Sequence, residues 1–178
     1  VIAVTLFTRL WVAYQLPYPA WTDSVHHVMI TKLIATTGRL PENLEPYFPI
    51  PLDMYHLGLH TIAATSAWLA QTSFASALLW TAQILNGLCG IGVYLALDRK
   101  VGRFAAVIGL AVVGVFSYQP AFYVNWGRFT QIASQAILLI AWIATDDAIH
   151  YWGMISESTW LRKTAIAKSL LCSILIAG

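Results

Sequence analysis

Apolar runs close to membrane-spanning length recur along this chain, with short polar breaks between them. About 20 apolar residues are needed to cross about 30 Å of hydrocarbon. Residues 76–97 make a full-length run, 104–118 a shorter one stopped near Pro120, and 129–145 another. Residues 1–16 read as the visible end of a span, and 165–178 as the start of a further one. Composition explains why these runs cannot be the core of a soluble domain. Hydrophobic residues make up 58% and charged residues 10%, against about 45–50% and about 25% in soluble domains. The mean hydropathy is +0.67. A chain of 178 residues has too much surface for its volume to hide that apolar area from water. The predicted fold class is therefore all-α, a polytopic transmembrane helical bundle forming a single domain in the cell (inner) membrane. The net charge of +2 is too small to bear on nucleic acid, but there is no basic run or stripe, so no nucleic-acid partner is expected and membrane lipids are the expected surroundings.

The chain opens on Val1 inside an apolar run and ends at Gly178 partway through another. It has no basic n-region of a signal peptide, and it is expected to be the N-terminal portion of a longer protein. Cys89 and Cys172 both sit in apolar runs without CxxC or zinc spacing and read as small helix residues. Trp and Tyr read as interfacial anchors and core packing. Gly87, Gly90 and Gly92 form a small-residue face suited to helix packing.

Topology follows from the basic residues. Arg99, Lys100 and Arg103 form one cluster, and Arg162, Lys163 and Lys168 another. The positive-inside rule places both in the cytoplasm. Residues 125–128 and the loop 17–54 then lie outside, provided that 55–72 is re-entrant or interfacial. If 55–72 crosses as a short span, the loop lands inside. Its shortness and its two histidines favour the first arrangement. Asp146 and Asp147 fall on the cytoplasmic side and read as a solvated helix end.

The loop 17–54 is the most polar part of the chain. Residues 23–37 read as an amphipathic interfacial helix. Thr22 or Asp23 serves as N-cap and Gly38 as the closing residue. Val25, Val28, Met29 and Leu33 share one face, with Asp23, His26 and His27 on the other. Pro41, Pro46, Pro49 and Pro51 rule out helix in the second half and predict a fixed, extended loop.

Few residues here can carry chemistry. Asp23 suits a general base or a metal ligand, with His26 and His27 three and four residues on. Asp is equally a good helix cap. His56 and His60 are four apart, which on a helix puts both rings on one face. That spacing suits a metal, a haem or a chlorophyll, or two imidazoles bonded to polar groups at the membrane surface. The sequence is His56-Leu57-Gly58-Leu59-His60, without the glutamate of HExxH. Arg128, at the mouth of a span, suits bidentate phosphate binding or snorkelling to headgroups.

The order of these features carries a resemblance. Trp21-Thr22-Asp23-Ser24-Val25-His26-His27 follows the first span, and Thr37-Gly38-Arg39-Leu40-Pro41 comes next. Tyr55-His56-Leu57-Gly58-Leu59-His60 and then Trp126-Gly127-Arg128-Phe129-Thr130-Gln131 complete the series. The chain resembles the N-terminal half of bacterial membrane glycosyltransferases of the GT-C fold. The resemblance implies sugar transfer from a polyprenyl-phosphate donor on the outer face of the membrane. Asp23 matches the acidic residue of the first outer loop, which acts on the acceptor or helps bind a metal. His26, His27, His56, His60 and Arg128 fall at substrate-binding positions. The second acidic residue of an Asp-x-Asp or Asp-Glu pair is missing, which leaves a divalent metal cofactor open. The competing reading is a non-catalytic accessory subunit of a larger membrane complex, packing against partner subunits and carrying a histidine-ligated cofactor.

Overall fold

In the computed structural model, residues 1–153 and 159–177 are described. The helices are α1 (Ile2–Gln15), α2 (Asp23–Thr37), α3 (Gly58–Ala70), α4 (Phe74–Lys100), α5 (Arg103–Ala111), α6 (Ala121–Asn125), α7 (Phe129–Gly153) and α8 (Thr159–Ala177). A π-helical turn, Val112–Phe116, continues α5. Among the described residues there is no strand, only an isolated bridge between Asn43 and Pro51. The protein is all-α. Three of its helical segments are long and apolar enough to cross a membrane: Phe74–Lys100, Arg103–Asn125 and Phe129–Trp152.

Several elements run past their expected limits. α4 starts at Phe74 and reaches Lys100, and α7 continues to Gly153 instead of stopping at 145. The final helix begins at Thr159, six residues before the expected 165, and Gly178 lies outside the described residues. Polar residues at a span's end extend a helix as readily as they end it, so hydropathy marks the apolar stretch and not the helix boundary. α3 has 13 residues, about 20 Å at 1.5 Å per residue, and is too short to cross about 30 Å of hydrocarbon.

Specific side-chain pairs fix the directions of the helices. Cys89 lies against Ile132, Gly92 against Leu139 and Arg99 against Asp147, so α4 and α7 run parallel. Gly87 meets Leu6 while Gln83 and Arg9 line one cavity, and Gly90 meets Leu110 while Leu97 meets Gly109, so α1 and α5 run antiparallel to α4. A Cβ at Gly87, Gly90 or Gly92 would lie 2.6–2.8 Å from those leucines. The small-residue face predicted for α4 is thus consumed by packing within the chain, not held free for a partner subunit.

Asp146 and Asp147 are partly solvated, but they lie inside α7, which runs on to Gly153, and both are paired. Asp147 pairs with both Arg99 and Lys168, the latter at 2.7 Å, and Asp146 pairs with Lys100 at 2.8 Å. These bonds tie α4, α7 and α8 together and bring the two basic clusters to one end of the bundle. Two spans running parallel through a connecting antiparallel segment produce that arrangement.

The opposite end carries α2, α3 and the loop between them. Gly38, at φ +69°, closes α2 with its N–H on the Ile34 carbonyl. The face of α2 that packs inward is only partly the expected one. Leu33 is buried and Val28 and Met29 pack against the core, but Ser24, His27, Ile30, Thr31 and Ile34 are buried as well, whereas Val25 is 45% exposed. The proline-rich stretch is non-helical, as the four prolines require. Leu44 and Leu52 anchor it by packing against Ile30, Leu33, Ile34 and Ala64. Trp68 Nε1 donates to the Ala35 carbonyl at 2.9 Å and joins α3 to α2.

A candidate functional site between the loop helix and the turn at Arg128

A cleft of about 400 Å³ opens at this end. Asp23, His26 and His27 of α2 form one wall, and Arg128, Thr130 and Gln131 at the start of α7 form another. Ile50, Pro51, Leu52 and Tyr55 from the loop close the third side. Groups about 100 positions apart in the chain are brought onto one concave surface.

Gly127 makes that meeting possible. Its φ of +70° lies in the left-handed region open to glycine. A Cβ there would also sit 3.2 Å from Ser24 Oγ and 3.3 Å from Asp23 Cβ. The turn therefore presses against the first residues of α2, and Arg128 emerges beside Asp23. Arg128 is further oriented by the Trp126 ring, 4.7 Å below its guanidinium, a cation–π contact. The Nε of Arg128 is buried without a hydrogen-bond partner.

The Asp23 carboxylate is equally uncommitted. Thr22, not Asp23, is the residue that precedes the helix, and no side-chain bond caps this terminus. Neither Asp23 nor Arg128 belongs to any ion pair among the described residues. An acid and a base thus share a cleft without neutralising one another. Tyr55 stands nearby on the loop wall of the cleft, partly exposed. Burial raises its phenol above the ordinary value, Asp23 adds to the rise and Arg128 opposes it. The hydroxyl remains a hydrogen-bond donor into the cleft.

Behind this surface lies a histidine pair that spacing alone did not reveal. His27 Nδ1 and His60 Nε2 are 2.8 Å apart, and the rings stack with centroids 5.1 Å apart. Phe129 meets His27 edge-on at 5.2 Å. Burial pushes the His27 imidazole down to about 4, against the opposing pull of the Gly127 carbonyl and Asp23. Burial, and then His27 itself, pushes His60 down to about 3. Both rings are neutral at pH 7, and a single N–H joins them.

The expected pairing of His56 with His60 does not form. α3 starts at Gly58, so His56 precedes the helix and is exposed, while His60 is fully buried. His60 therefore contacts the back of His27 and not the cleft. One of its faces is stacked on His27 and its Nε2 is engaged there, while its Nδ1 is buried without a hydrogen-bond partner. Among the described residues no three His, Cys, Asp or Glu side chains converge on a common point. No protein-family model, no curated protein and no solved structure matches the chain.

Tyr55, Thr130 and Gln131 were in view as parts of short motifs, but not as cleft-lining groups. Their signal was their place in polar breaks beside Asp23 and Arg128 once the chain is folded.

Proposed function

We propose that the protein is a membrane glycosyltransferase of GT-C type, which transfers a sugar from a polyprenyl-phosphate donor at the outer face of the membrane. The observation that supports this reading is the juxtaposition of an unpaired Asp23 and an unpaired Arg128 in one cleft. In this topology the paired basic clusters lie in the cytoplasm and the cleft lies outside.

The donor's prenyl tail remains in the bilayer and its phosphate enters beside Arg128. The acceptor hydroxyl binds on the α2 side. Its oxygen attacks the anomeric carbon, and the bond from that carbon to the phosphate oxygen breaks. The hydroxyl proton passes to the Asp23 carboxylate. Charge grows on the departing phosphate, and the Arg128 guanidinium stabilises it, preorganised over Trp126. Tyr55 and Gln131 supply hydrogen bonds to sugar hydroxyls. The His27–His60 pair positions α2, and with it Asp23, and does not touch the reacting atoms.

The test is sugar transfer by the full-length protein carrying Asp23→Asn. Transfer is expected to fall by about 100-fold or more, the scale of general-base catalysis, with α-helical content unchanged. An undiminished rate would remove Asp23 from the mechanism.

A further inference from the structure

A second polar cluster lies within the apolar helices, away from the cleft. Arg9 sits in the middle of α1, six residues before its end at Gln15, or about 9 Å along the axis. Its Nη2 donates to the Gly114 carbonyl at 3.0 Å. Gly114 belongs to the π-helical turn, a local rewinding that frees backbone groups from the regular ladder. The Nε of Arg9 is buried and has no partner. On α4, Gln83 and Asn86 are 2% and 3% exposed. Asn86 Nδ2 donates to Gln83 Oε1 at 3.1 Å, which leaves the Gln83 amide nitrogen for the adjoining cavity.

That cavity measures about 360 Å³, and Arg9, Gln83, Ser117, Tyr118 and Asn125 supply its polar lining. Arg9 is the one charged residue among the lining groups. A guanidinium held among apolar helices without a counter-charge is costly, and such residues almost always face a partner or a polar ligand. The lining presents donors from Arg9 and Gln83 and no carboxylate, so the missing partner is an anion. The way in is apolar. Val12, Val115 and Phe116 line the rim and are 40%, 43% and 80% exposed. A soluble anion gains nothing from such a rim, whereas an acyl or prenyl chain does.

We propose that this cavity binds the phosphate of a membrane lipid, with Arg9 as its cation, the Gln83 and Asn125 amides as further donors, and the lipid chains lying along Val12 and Phe116. The site is separate from the cleft at Asp23. The two share no lining residue, and Trp126 and Gly127 separate Asn125, at the end of α6, from Arg128. The proposal does not depend on sugar transfer.

The full chain, purified in detergent, is titrated with dioctanoyl phosphatidate and, separately, with dioctanoylglycerol, which lacks the phosphate. Phosphatidate is expected to bind at least about tenfold more tightly, the scale of one charge-assisted contact. Arg9→Gln is expected to abolish that preference, and Arg9→Lys to retain part of it. Should Arg9→Gln fail to elute as a folded species, Gln83→Leu serves in its place and is expected to weaken phosphatidate binding by about threefold. Inorganic phosphate is then added as competitor. Displacement only by lipid phosphates identifies a lipid headgroup, and displacement by phosphate alone at similar concentration identifies a free phosphate at the same Arg9 site. Equal binding of the two lipids, or wild-type preference in folded Arg9→Gln, overturns the proposal. So does a loss that follows Arg128→Gln instead of Arg9→Gln, since it would put the phosphate in the other cleft.

Discussion

Where α4, α7 and α8 come together, Arg99, Lys100 and Lys168 are matched to Asp146 and Asp147. At the opposite end, Asp23 and Arg128 line one cleft and have no ion-pair partner among the described residues. The same chemical groups are used in two ways. Matched charges satisfy one another and add fixed contacts between helices, so nothing remains for a ligand. Separated charges hold potential that only a ligand can neutralise. The difference comes from the backbone. Long parallel helices bring residues 99 and 147 within reach, whereas the Gly127 turn and the first turn of α2 hold Arg128 and Asp23 on different walls.

The largest expected effect sharpens this contrast at the cleft. If the cleft carries the proposed sugar transfer, Arg128→Gln is expected to lower it about 100-fold, the usual cost of losing one such donor. Stability should change little, because the side chain supports no ion pair. A variant that loses stability and keeps its rate of transfer would make Arg128 a structural residue, like Arg99, and would erase the contrast.

Next in size is His60→Ala. It empties a fully buried ring and leaves His27 without its one side-chain partner. The expected loss is about 2–4 kcal/mol, combining cavity and unsatisfied-group costs, read as a lower melting temperature by circular dichroism. The same pair predicts a pH dependence. Both imidazoles titrate in the fold below their unfolded value of about 6.5, near 4 for His27 and near 3 for His60. Below about pH 6.5 the unfolded chain binds protons that the fold refuses, so stability is full above that pH and lost as pH falls. The loss from pH 6.5 to 4 is expected to exceed about 1 kcal/mol. The double variant His27→Gln, His60→Gln should flatten that part of the profile, and a wild-type profile already flat there would show the pair to be open to water.

These outcomes depend on features that the sequence displayed unequally. The apolar runs at 76–97, 104–118 and 129–145 located three helices, because hydrophobic length is a local property. The polar loop and the Arg128 turn stood out for the same reason. The inward face of α2 was legible only in part. Leu33 is buried as its spacing implied, but Val25 stays exposed while Ser24, His27 and Thr31 pack inward among Ile30 and Ile34, so hydrophobic spacing alone did not mark the polar part of that face. The partner of His60 was invisible, because spacing proposed His56 from a helix that begins two residues later. Arg9, Gln83 and Asn86 carried a signal that went unread. Each is a polar residue inside a spanning-type run, which lipid tolerates only where something pairs with it. The ion pairs of Asp146 and Asp147 needed the parallel placement of α4 and α7, which no local pattern contains.

The smallest effect tests the other half of the contrast. Asp147 bonds to Arg99 and Lys168, and its side chain is 18% exposed, with its partners at 41% and 33%. Water and salt screen such pairs, and each contributes at most about 1 kcal/mol. Asp147→Asn keeps the shape and one acceptor oxygen while removing the charge. It should lower stability by about 1 kcal/mol, with the difference shrinking further in high salt, and leave sugar transfer at the wild-type rate. A stability loss of several kcal/mol would mean that the network joining α4, α7 and α8 is effectively dry, with Arg99 left as an uncompensated charge. A loss of transfer at unchanged stability would mean that this end communicates with the cleft along α7. Either result would break the separation between charges that hold the helices and charges that await a ligand.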